Sequence, residues 1–233
     1  VTDALPAPPK PRLRGVSHQY AAFVAALAGG LLMARVATDE ARRAVLIYTL
    51  SLVTLFGVSA IYHRPTWQPR ARQWMRRLDH AAIFVLIAGT YTALCLGLPP
   101  AEAHTLRAFV WTGALLGVLQ SVLWVTAPKP LIAVLYVALG WSIAPYVQTV
   151  YASVGAAPLA LVLVGGVVYS AGAVVYAKKR PDPVPAVFGY HEVFHALVIG
   201  AAVLHFAAVA IIALGVGSSP LSGGARGGSV PSP

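Results

Sequence analysis

The chain has 233 residues, of which 58% are hydrophobic and only 10% charged, whereas a soluble domain carries about a quarter of its residues as Asp, Glu, Lys and Arg. That balance excludes an ordinary soluble domain and marks a polytopic membrane protein. The formal charge of +10 does not mark a nucleic-acid binder, because the basic residues fall in short clusters between apolar runs and build no single face. The lone cysteine, Cys95, excludes an intramolecular disulfide and any redox pair.

The opening stretch, VTDALPAPPKPRLRG, has too many prolines and interruptions for the apolar region of a signal peptide, and residues 1–17 are expected to form a disordered arm. A bilayer core of about 30 Å takes about 20 apolar residues per helix. Seven runs of that order follow, at residues 20–36, 45–62, 80–98, 106–126, 131–150, 158–177 and 187–214. The tail, GVGSSPLSGGARGGSVPSP, reads as low-complexity linker, so residues 216–233 are expected to be disordered as well. The expectation is therefore all-α: one seven-transmembrane helix bundle over residues 18–215, without a transporter-type repeat.

Orientation follows from the basic residues in alternate connections. One side collects Lys10, Arg12 and Arg14, then Arg64, Arg70, Arg72, Arg76 and Arg77, then Lys129, then Lys178, Lys179 and Arg180. The other has Arg35, Arg42, Arg43, Arg107 and Arg226. Positive residues stay cytoplasmic, so twelve against five predicts a cytoplasmic N-terminus and an extracytoplasmic C-terminus.

With that topology, the polar groups of three runs fall at one depth near the cytoplasmic face. The second run ends with Ser59 and His63, the third opens with Asp79, and the seventh opens with GYHEVFHALVI, which carries His191 and His195. Residues four apart share one helix face, about 6 Å apart along its axis. Two helices thus present a pair each, and a third adds a carboxylate. Three histidines with one position left for water form the ligand set of a catalytic zinc site. On this reading His63, His191 and His195 hold zinc, Asp79 bonds to the metal's water, and Ser59 orients it or donates to a developing oxyanion. Plainer roles exist: Asp79 also fits a helix N-cap, and Ser59 a bond back to its own helix.

The blocks PRLRGVSH, SAIYHRPTWQP, RRLDHAAIFVLIAGTYT and FGYHEVFHALVIGAAVLHF resemble the bacterial hemolysin III family, which is related to the progestin and adiponectin receptors and more distantly to alkaline ceramidases. The resemblance runs in order across all but the two tails. It implies a seven-helix bundle in the bacterial plasma (inner) membrane, N-terminus inside, with zinc on His63, His191 and His195 beside Ser59 and Asp79. Lipid amide hydrolysis is the activity proposed for the wider superfamily; cytolysis and lipid homeostasis are also linked to bacterial members.

The remaining histidines read differently. His80 points about 100° away from Asp79 on a helix, which suits a supporting or interfacial role. His205 lies about 15 Å beyond His195, too deep for the same metal, and is read as bonded to a neighbouring helix. His18, after PRLRG, is read as meeting headgroup phosphates with Arg12 and Arg14. Pro145 is expected to kink the fifth run and free a carbonyl that needs a partner or lines a cavity. Gly165, Gly166, Ser170 and Gly172 give the sixth a small face for close helix contact. Trp67 and Trp74 among the arginines of residues 64–77 suit lipid headgroups. The leading expectation is a zinc-dependent hydrolase of a lipid amide or ester near the inner leaflet, with membrane lipids and no nucleic acid as partners. The alternative is a non-enzymatic sensor or homeostasis factor with structural zinc, or a cytolysin, although only scattered polar residues such as Thr54, Thr92, Gln120 and Gln148 are there to line a pore.

Overall fold

The computed structural model describes residues 10–216. It consists of eight α-helices: α1 (Val16–Met33), α2 (Asp39–His63), α3 (Pro69–Leu94), α4 (Pro100–Leu123), α5 (Lys129–Gly140), α6 (Val147–Val154), α7 (Ala156–Lys178) and α8 (Tyr190–Gly215). With α5 and α6 joined as one crossing, seven segments are long and apolar enough to span a bilayer, and no strand occurs among the described residues. Residues 1–9 of the expected arm and 217–233 of the expected tail lie outside the described residues. Residues 10–15 are held in place: Arg12 N and Leu13 N donate to the carbonyls of Ala186 and Val187, and α1 already begins at Val16.

Local chemistry sets the helix starts. Thr38 caps α2 by accepting from Ala41 N at 3.1 Å, with Asp39 and Glu40 in the first turn against the positive end of the helix dipole. Helices α3, α4 and α5 open on a proline in the first turn, where its missing N–H leaves no bond unmade. The bundle then turns apolar residues outward as well as inward. Phe23 and Leu27 of α1 are 70% and 68% exposed, which only a lipid environment tolerates on such a scale. Helix α3 is the most enclosed, with 72% of its apolar stretch buried against 22% for α1.

Lipid tails compete for apolar contact, so helices in a bilayer associate where small residues allow close approach. Gly29 faces Thr49 where α1 meets α2, Gly89 faces Ser51 where α2 meets α3, and Gly165 of α7 leaves room for the His205 ring of α8. His205 Nε2 also lies 3.1 Å from Val162 O, the expected bond to a neighbouring helix.

The expected interruption near Pro145 is a full break: α5 stops at Gly140, and a 3-10 turn over Ala144–Tyr146 leads into α6. Tyr91 of α3 repairs it, because its hydroxyl donates to Gly140 O at 2.7 Å and accepts from Ile143 N at 2.8 Å. Both backbone groups would otherwise be stranded in an apolar bundle. Tyr91→Phe is therefore expected to lower the stability of the purified protein by about 1–3 kcal/mol, the cost of unsatisfied buried groups, read as a lower melting temperature in detergent. An unchanged melting temperature would remove this role from Tyr91.

Candidate metal centre

Helix α2 runs to His63 and stops because Pro65 cannot continue the hydrogen-bonded ladder. Trp67 Nε1 then donates to Ile61 O at 3.1 Å, satisfying one of the carbonyls left open at the helix end. Helix α8 starts at the same end of the bundle. Its first turn is closed by Glu192, whose Oε2 accepts from Gly189 N at 2.9 Å, while Tyr190 N donates to Asp182 Oδ1 at 2.7 Å. Two helix ends are thereby set side by side, one finishing in a histidine and the other beginning with two.

The outcome is a compact imidazole group. His63, His191 and His195 each offer a ring nitrogen, all within 4.8 Å of one another, and all three residues are buried. His63 Nε2 and His191 Nε2 lie 3.1 Å apart. A tetrahedral ion bound at 2.0–2.1 Å needs donor nitrogens about 3.3–3.4 Å apart, so this edge is close to, and slightly shorter than, the length such a site requires. His195 Nδ1 is buried without a hydrogen-bond partner, and the lone cysteine, Cys95, lies at the far end of α3, leaving a nitrogen-only donor set. The group is able to hold a metal ion.

Asp79 and Ser59 stand beside it. Asp79 Oδ2 is 3.8 Å from His63 Nε2, with 15% of its side chain exposed, and the buried Ser59 hydroxyl faces the same carboxylate. Asp79 does not cap α3: the helix begins ten residues earlier at Pro69, and the carboxylate projects from its third turn. All five expected residues are brought together. His80 lines the same cavity but does not belong to the three-histidine group.

Two features depart from the sequence reading. His18 does not face headgroups; it is 2% exposed and its ring stacks on that of His195, centroids 3.8 Å apart and 7° from parallel. Arg14 pairs with the buried Glu192 and is likewise turned inward. The sequence carries a signal for Glu192 as well. The string HEVFH satisfies H-E-x-x-H, the helical zinc motif in which the glutamate acts as general base. Here the spacing serves the two histidines only, because one oxygen of Glu192 caps α8 and the other pairs with Arg14.

A cavity of about 1220 Å³ opens at this end and runs past the histidines into the bundle. Lys10, Arg14, Arg72 and Arg76 lie around its mouth; Ile83, Leu86, Ile87, Val137 and Val198 line it farther in, and Trp141 and His205 mark its depth. From His191 to His205 the wall along α8 is about 21 Å long at 1.5 Å per residue.

The sequence matches the family described as haemolysin-III related over residues 7–206. The chain belongs to that family. It is 32% identical to "Hemolysin-3 homolog" of Bacillus subtilis (strain 168) over 161 residues, covering 69% of this chain and 72% of the relative. It is 30% identical to "Hemolysin-3" of Bacillus cereus over 171 residues, 72% and 74% of the two chains. A more distant similarity, 26% over 221 residues and 87% and 88% of the chains, links it to the human "Monocyte to macrophage differentiation factor". This haemolysin-III-related chain is thus a seven-helix membrane protein with a buried three-histidine group.

Equilibrated with a divalent transition metal and desalted, the purified protein is expected to retain about one ion per chain, and His191→Ala or His195→Ala to lose most of it. Equal metal content in both variants and the wild type would dissociate these histidines from metal binding.

Proposed function

We propose that the chain is a zinc-dependent hydrolase that cleaves an amide or ester bond of a membrane lipid near the inner leaflet. The observation that carries this reading is the juxtaposition of three imidazoles with a carboxylate on the wall of a long, largely apolar cavity. The volume exceeds the 300–1,000 Å³ usual for small-ligand pockets, which suits a lipid with its chain in the bundle and its polar linkage at the mouth. Burial, with Arg14, Arg72 and Arg64 nearby, holds the Lys10 ammonium below its usual pKa. Such a cationic rim complements anionic headgroups on the cytoplasmic side.

The roles follow from position. His63, His191 and His195 would hold the ion. Zinc, when bound, supplies Lewis acidity and a water whose pKa falls to about 7. Asp79 Oδ2 is placed to accept a proton on that side of His63 and return it to the leaving group. Ser59 orients the Asp79 carboxylate by donating its single hydroxyl proton to it. The apolar wall excludes bulk water and fixes the lipid by its chain. The name of the Bacillus cereus relative, Hemolysin-3, speaks of cytolysis. A water-filled pore would need polar stripes, and the inner wall here is chiefly aliphatic and aromatic.

Asp79→Asn keeps the shape of the side chain and removes its basicity. It is expected to retain the fold and most of the metal while lipid amide or ester cleavage falls on the order of 10²–10⁴-fold. Cleavage at the wild-type rate would take Asp79 out of the mechanism; no cleavage by any form, across a broad lipid panel, would favour the sensor or homeostasis role. The inner-leaflet assignment has its own check. A reporter placed within residues 64–77 should behave as cytoplasmic and one after Pro233 as extracytoplasmic; the reverse pattern would move the site to the outer face.

A further inference from the structure

We propose that residues 14–18 form a clamp that positions the metal-holding histidines, with Arg14 and His18 as its positioning residues. The inference rests on the reading of His63, His191 and His195 as a metal site. The ligand-bearing ends of α2 and α8 are remote in sequence, His63 and His191 being 128 positions apart, and something must set their separation. Residues 14–18 touch both.

Gly15 crosses directly over His63. Its φ of +76° is in the left-handed region, and a Cβ there would lie 2.8 Å from His63 Cβ, so only glycine passes. Arg14 pairs with Glu192 Oε1, and the other oxygen of that carboxylate closes the first turn of α8, the turn that carries His191. His18 lies on the face of His195 and is met edge-on by Phe56 of α2, centroids 5.0 Å apart. The His195 ring is thus backed by a ring that is itself braced on the opposite helix. Further out, the backbone of Arg12 and Leu13 bonds to residues 186 and 187, and Lys10 Nζ donates to Arg64 O at 2.9 Å.

His18 itself is not a ligand on this geometry. A ligand nitrogen directs its lone pair in the plane of the ring, and the planes of His18 and His195 are parallel and one ring thickness apart, so both cannot aim at one ion. The three-histidine group accordingly excludes it. What His18 supplies is orientation: groups that hold a metal-binding histidine in place typically change metal affinity 10–100-fold when removed.

The test compares metal affinity with stability of the metal-free protein. Wild type, His18→Phe, His18→Leu, Arg14→Gln, Glu192→Gln and the Arg14→Gln/Glu192→Gln pair are titrated with zinc against a chelator, and their cobalt forms are compared by visible absorption. His18→Leu and Arg14→Gln are expected to weaken zinc binding by 10–100-fold and to alter the cobalt bands. His18→Phe, which keeps the flat stacked ring, should stay within about threefold of wild type, and the double variant should be no worse than the poorer single. Variants that lower the metal-free melting temperature but keep wild-type affinity and cobalt bands would overturn the clamp and leave the metal site standing. A wild type that binds no ion would remove both. If His18→Leu fails to fold, Arg14→Gln, at a side chain 20% exposed, carries the same comparison.

Discussion

Three imidazoles from two helices meet within 4.8 Å inside an apolar bundle, and polar groups in such a place carry a free-energy cost unless bonded or ligated. Much of the architecture around them answers that demand. Helix α2 ends and α8 begins at the level of the group, α3 passes beside it with Asp79, and the N-terminal segment folds back over it. Elsewhere several buried hydroxyls are occupied by backbone: Thr90 donates to Leu86 O, Thr92 to Ala88 O, Ser121 to Gly117 O and Tyr91 to Gly140 O. The Nδ1 of His195 is among the buried side-chain atoms without a hydrogen-bond partner, as are both ring nitrogens of His18 beside it and the hydroxyls of Tyr48 and Thr49.

Charge is distributed with the same logic. The carboxylate nearest the histidines in sequence, Glu192, is consumed by a helix cap and by Arg14, while the carboxylate nearest them in space, Asp79, faces the cavity. The division leaves one carboxylate facing the cavity beside the histidines and one engaged in structure. A ring of cations at the mouth and an aliphatic wall beyond make the cavity amphipathic along its length, as a membrane lipid is.

The fold was largely legible because lipid solvation imposes a simple rule of about 20 apolar residues per crossing. All seven crossings lie where the apolar runs are, and Pro145 announced the break in the fifth. The meeting of Ser59, His63, His191 and His195 was also legible, since i, i+4 pairs at run ends share a face whatever the packing. Residues 10–15 and His18 were not. Prolines and arginines in a terminal stretch have the composition of a disordered arm, and what gives them a place is distant partners, among them Glu192, His195 and the carbonyls of Ala186 and Val187. Those partners are more than 170 residues away in the chain, and nothing local encodes them. Asp79 lies ten residues inside α3 and does not open it, because the basic first turns of α3, which do not look like a membrane span, are helical too.

The central claim is that His63, His191 and His195 hold a single metal ion, and X-ray absorption at the zinc edge of the purified, zinc-loaded chain tests it most directly. The account predicts nitrogen or oxygen scatterers near 2.0–2.1 Å with the outer-shell pattern of three imidazoles, reduced to two in a His195→Ala sample forced to bind zinc at high concentration. A spectrum without imidazole scattering, or one identical in the two samples, would contradict it.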